Sequence, residues 1–114
     1  MVKPRYKLME EKHYGKDYIS ARSVHVELFN GLCPTPAAAI VNECRKYDTE
    51  IKISDGRNVA DAQSILELMA LGIGHGTNLD VFVENKPEIN AKEIATRICL
   101  GLTTESLYPD FETP

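Results

Sequence analysis

Between Ser20 and Leu102 the apolar residues keep switching between a period of two and a period of 3.6, and each switch limits what the backbone can do there. From Ser20 to Leu28, Ala21, Ser23 and His25 alternate with Val24, Val26 and Leu28, which predicts a strand with one buried face. After Cys33, Pro34 and Pro36 fall in the first turn of a helix, where their missing amides are not needed. Ala37, Ile40, Val41 and Cys44 then recur at i, i+3, i+4 and i+7, so an amphipathic helix ending near Lys46 is expected. Ile51 and Ile53 alternate with Glu50 and Lys52, and Asp55-Gly56 supplies turn residues before Asn58 and Val59. Two short antiparallel strands follow from that pattern.

Ser64-Ile65-Leu66-Glu67 has the S-x-x-E form of a capping box ahead of Leu68, Met69 and Leu71, predicting a short helix closed by Gly72. Leu79, Val81 and Val83 alternate with Asp80, Phe82 and Glu84 as in a further strand. Ala91, Ile94, Ala95, Ile98 and Leu102 have the spacing of a third helix. The element order is β-α-β-β-α-β-α. Such elements bury their apolar sides best in an α+β open-faced sandwich of two layers, a four-stranded antiparallel sheet with three helices on one face.

The chain of 114 residues fits one domain. Residues 1–17 carry five basic and three acidic side chains, with Pro4 and Gly15 interrupting any period, and read as an N-terminal extension to a domain over 18–102. Residues 103–114 form an acidic tail whose large apolar groups are Leu107, Tyr108 and Phe111. Thirteen Lys and Arg against seventeen Asp and Glu give a net charge of -4, which argues against a nucleic-acid partner. No apolar run approaches the roughly 20 residues of a membrane span, and no secretory leader pattern opens the chain. The expected location is the cytoplasm. Cys33, Cys44 and Cys99 lack CxxC spacing, so neither a disulfide framework nor a zinc site is expected. His13, His25 and His75 have no partner at metal-ligand or catalytic spacing, and no cofactor or metal is expected. Gly72-x-Gly74-x-Gly76 follows a helix and leads into a strand, the reverse of a phosphate-binding loop, and reads as a turn.

Two segments resemble HPr, the phosphocarrier protein of the bacterial sugar phosphotransferase system, and the resemblance covers about Ser20 to Leu102. In that family the first strand leads into Gly, an aliphatic residue, the phosphorylated His, Ala, Arg, Pro and Ala. Here the segment is Gly31-Leu32-Cys33-Pro34-Thr35-Pro36-Ala37. The second family segment is a regulatory Ser, a short apolar helix and Leu-Gly, matched by Ser64-Ile65-Leu66-Glu67-Leu68-Met69-Ala70-Leu71-Gly72. The resemblance puts Cys33 at the place of the phosphorylated His and Thr35 at that of the phosphate-pairing Arg. It also implies that Ser64 is a kinase target, and that its helix and the Cys33 loop dock Enzyme I-like proteins, a kinase or a regulator.

Each of these residues also has a plainer role. Cys33, ahead of a helix, sits where orphan amides favour a thiolate that could take a phosphoryl group. With no Arg nearby to replace Thr35, it reads first as a small residue filling a lost active site, and a redox role comes third. Ser64 has a sufficient structural reason as a helix cap, and Leu68 reads as core. Ile65, Leu68 and Met69 share one face of their helix and Leu66 lies off it, so some of that apolar surface is left for a partner. The expected function is that of a binding or regulatory module related to the phosphotransferase system. The alternative is a noncanonical phosphocarrier using Cys33; neither reading requires a turnover enzyme.

Overall fold

The structure, a computed structural model, describes residues 6–13, 15–25, 36–72 and 78–103. Cys33, Thr35, His75 and the tail from 104 onward lie outside these residues. The elements are β1 (Lys7–His13), β2 (Lys16–His25), α1 (Pro36–Cys44), β3 (Ile51–Ser54), β4 (Val59–Asp61), α2 (Ile65–Leu71), β5 (Asn78–Glu84) and α3 (Ala91–Thr103). The sheet is antiparallel throughout, in the order β1-β2-β5-β3-β4.

The α+β sandwich agrees with the sequence reading, but among the described residues the sheet has five strands rather than four. The added strand is β1, in the segment read as an extension. Gly15, taken there as an interruption, instead closes the β1–β2 hairpin at φ 78°, and His13 pairs with Lys16 across it. Charge hid the strand: KLMEEKH has only Leu8 and Met9 as apolar residues, adjacent rather than alternating. Tyr6 and Leu8 pack against the core while Met9, Glu11 and His13 point to the other side.

The inward face of the sheet follows from register. Ile19, Val83 and Ile51 lie side by side across β2, β5 and β3, and Ala21, Val81 and Ile53 form the next row, all buried. The sequence set Ala21 on the polar series of its strand, opposite Val24. Both are buried, because the β2–β5 register shifts between Ala21 and Val24 and a bulge there returns the apolar series to the core side. Strand β5, flanked on both sides, buries Leu79, Val81 and Val83, and each fully buried Val or Leu side chain contributes about 1.5–3 kcal/mol.

Onto this face α1 delivers Ala37, Ile40, Val41 and Cys44, α2 delivers Leu68, and α3 delivers Ala91, Ile94, Ala95, Ile98, Cys99 and Leu102. Apart from Cys99, these are the helical positions picked out by spacing. The β3–β4 turn is held by Asp55, whose Oδ1 accepts the amides of Arg57 and Asn58 at 2.8 Å each.

Candidate functional site

The short helix α2 is fixed by a chain of hydrogen bonds that begins at the end of α1. The side-chain amide of Gln63 donates to the carbonyls of Cys44 (3.0 Å), Tyr47 (3.2 Å) and Thr49 (3.4 Å), tying the entry of α2 to the α1–β3 connection. Arg45, one residue beyond α1, donates its Nε to the Gln63 carbonyl at 3.3 Å. Ser64 then caps the helix with extended backbone (φ -115°, ψ 111°), its Oγ accepting the Glu67 amide at 3.4 Å. The capping box closes differently from its usual form. The Glu67 carboxylate accepts the amide of Asp61 at 3.0 Å, while the Ser64 amide donates to the Asp61 carbonyl at 3.0 Å. Asp61 Oδ1 in turn holds the Gln63 amide at 2.9 Å, so the amides of Asp61, Gln63, Ser64 and Glu67 are all engaged. At the other end Gly72 adopts φ 70°, ψ 34° and its amide donates to the Met69 carbonyl at 3.1 Å.

This frame separates the apolar residues of α2 by role. Leu68 is 0% exposed and Ile65 packs partly against the core, whereas Leu66 is 77% and Met69 59% exposed. Met69 was placed with Ile65 and Leu68 by helical spacing, yet it sides with Leu66. A helix of seven residues needs only a narrow contact with the core, and Leu68 with Ile65 and Leu71 fills it. Leu66 and Met69, three residues apart, form an apolar pair in solvent beside the Ser64 cap.

Two of the three thiols have no reactive character. The Cys44 and Cys99 thiols form no disulfide with each other and are fully buried. Burial pushes both thiols up, Cys44 well above the usual thiol range with Glu43, Asp61 and Cys99 adding to the effect, and Cys99 to about 12. Cys33 and Thr35 fall outside the described residues, so of the six residues singled out in the sequence the structure places Ser64, Ile65, Leu66 and Met69, all on one turn-and-helix unit.

A second group, on the sheet face away from the helices, had no strong sequence signal because it needs β1. His13, Tyr18, Lys52, Val59 and Phe82 line a pocket of about 120 Å³, with the His13 ring edge-on to Tyr18 (5.8 Å) and Phe82 (5.4 Å). Next to it, Glu11 accepts from Ser20 and Arg22, and Arg22 lies 3.7 Å from Asp80 and 5.8 Å from the centre of the Phe82 ring. Burial alone would raise the Glu11 carboxyl, but the hydrogen bonds from Ser20 and Arg22 outweigh it and hold the pKa below its usual value. The Tyr18 hydroxyl donates to Glu50, which lowers the Glu50 pKa with further help from Lys52 and Lys16. Among the described residues no cluster of His, Cys, Asp and Glu could hold a metal ion, and no helix is long and apolar enough to cross a membrane.

An open-faced antiparallel sheet with its helices on one side, presenting a capped serine beside an apolar helical pair, defines the class: a small α+β sandwich module. Residues 20–99 match the family described as the PTS HPr component phosphorylation site. The chain belongs to the HPr family of the phosphotransferase system. It is 40% identical over 73 residues to the HPr-like protein Crh of Halalkalibacterium halodurans, a match spanning 63% of this chain and 86% of that protein. It is 32% identical over 73 residues to the phosphocarrier protein HPr of Haemophilus influenzae, across 64% of this chain and 86% of that one. In three dimensions it superimposes on the crystal structure of HPr from Bacillus anthracis with a TM-score of 0.62 and 29% identity, covering 75% of this chain and 96% of the other. Strand β1 lies outside the matched residues.

Proposed function

We propose that this protein works as a binding and regulatory module of the phosphotransferase system, recognised by cytoplasmic protein partners, and does not relay phosphoryl groups through a histidine. In this reading Cys33 occupies the position of the phosphorylated His and Thr35 that of the phosphate-pairing Arg, which leaves the acceptor site without its imidazole nucleophile and its anion clamp. Ser64 is the residue open to kinase modification. The Cys33 loop and the Ser64–Leu71 segment together form the docking face for an Enzyme I-like protein, a kinase or a regulator. The exposure of Leu66 and Met69 on a helix already anchored by Leu68 carries the proposal, because that apolar pair contributes nothing to the core. Net charge of -4 agrees with protein rather than nucleic-acid partners.

Incubation of the full chain with Enzyme I and labelled phosphoenolpyruvate tests the reading. The expected result is no stable label, together with partner binding that survives Cys33→Ser. Label that is acquired by the parent chain and lost in Cys33→Ser would overturn it in favour of a carrier holding its phosphoryl group as a thiophosphate.

A further inference from the structure

We propose that Arg45 is the built-in cationic partner of a phosphate on Ser64, pairing with it at the edge of the Leu66–Met69 surface. The inference rests on the reading of Ser64 as the modified residue. It starts from how firmly the two residues are held together. Three carbonyls of the α1–β3 connection grip the Gln63 side chain, so Gln63 and Ser64 cannot drift from Arg45, which belongs to that same connection. The Arg45 Nε bond to the Gln63 carbonyl (3.3 Å) then brings the guanidinium beside Ser64. Covalent geometry from that carbonyl oxygen to the Ser64 Oγ limits the distance from Nε to Oγ to about 8.5 Å. A phosphate on Oγ and the two Nη atoms beyond Nε each extend about 2 Å further, so at that outer limit about 4.5 Å remains, which rotation of the exposed Arg45 side chain closes to a contact.

The surrounding charges make such a partner necessary. Asp61 and Glu67 stand on either side of Ser64 with their carboxylates bonded to the Gln63 and Asp61 amides, and both would repel a phosphate dianion. Lys46, the neighbouring cation, has its Nζ 3.0 Å from Glu43. The seven-residue α2 offers only a short run of aligned peptide dipoles. Arg45 is exposed and able to swing a planar, two-pronged donor toward the phosphate, which a lysine does not provide. Modification would thus exchange the Arg45 bond to Gln63 for a charge-assisted pair and place a fixed anion next to the apolar patch.

The test uses the full chain with phosphoserine incorporated during synthesis at position 64, titrated by phosphorus NMR. A phosphoserine loses its second proton at about pH 6. Arg45→Gln is expected to raise that midpoint by about 0.5 unit, a roughly threefold gain in proton affinity, with Arg45→Lys between the two and Lys46→Gln matching the parent to within about 0.1 unit. Equal midpoints in the parent and Arg45→Gln, or a larger effect from Lys46→Gln, would overturn the proposal. Partner affinity, compared between the phosphorylated and unphosphorylated parent, tests the regulatory reading separately. That reading can fail on binding while the titration still shows the Arg45 pair.

Discussion

Replacing Leu68 and Leu66 in turn should separate what α2 does for the fold from what it does for recognition. Leu68 is fully buried between α2 and the sheet, so Leu68→Ala removes its apolar contacts and leaves a cavity, a change that costs about 3 kcal/mol within an observed span of roughly 2.7–5. A chain of 114 residues has an unfolding entropy near 0.24 kcal/mol/K at its midpoint, so the loss lowers Tm by about 12 °C. That is a large share of the roughly 6–17 kcal/mol a domain of this length holds. Leu66→Glu removes a side chain already 77% in water and puts an acid in the first helical turn, where the dipole favours it, so stability should move by no more than about 0.5 kcal/mol, or roughly 2 °C. Binding should respond in the opposite order. Losing the contact of one leucine and setting a carboxylate against an apolar partner surface should weaken association with Enzyme I at least about tenfold. Thermal melts followed by circular dichroism and titration calorimetry supply both columns of the comparison. A Tm loss in Leu66→Glu equal to that in Leu68→Ala, or unchanged affinity in Leu66→Glu, would refute the division of α2 into a buried and a docking side.

Thiol labelling of the native protein should leave Cys44 and Cys99 unmodified for as long as the fold holds while Cys33 reacts; equal rates at all three would contradict the burial of the other two. The folded-state pKa values of Glu11 and Glu50 are depressed, so their contribution to stability is fully present above the ordinary glutamate range and fades as pH falls through the folded values. Urea melts from pH 7 down to about pH 3 should therefore show a smaller acid loss in Glu11→Gln than in the parent. Gly72→Ala meets no neighbouring atom but forces φ 70° on a residue with a Cβ, so a cost of about 1 kcal/mol without any change in partner affinity is expected from denaturant melts.

The core was legible in the sequence because it obeys simple periods: apart from Cys99, the buried residues of α1, α3 and β5 are those picked out by spacing. Two misreadings have physical causes. The bulge in β2 changes the phase of alternation between Ala21 and Val24, and no single period spans it. Strand β1 is held through main-chain pairing and the core contact of Leu8, with Tyr6 just ahead of it, so its charges masked it. Of the candidate site, the Ser64 cap and the Gly72 stop were readable from turn chemistry. The roles of Arg45 and Gln63 were not, because their bonds join residues 14 to 19 positions apart with no pattern between them.

Strand β1 also changes what the molecule shows to its own copies. It covers one side of β2, whose ten residues carry Tyr18, Ile19, Ala21 and Val24 and would otherwise offer a long, apolar row of unpaired amides and carbonyls. The new border of the sheet is a strand of Lys7, Glu10, Glu11 and Lys12, side chains that oppose strand-by-strand stacking by repulsion and by the cost of stripping their water. At the opposite border β4 has only three residues, too few to template a neighbour. Since no side chain of β1 is fully buried, the chain could acquire this guard without repacking its interior, a route by which a small sheet protein gains resistance to aggregation at little risk to its fold.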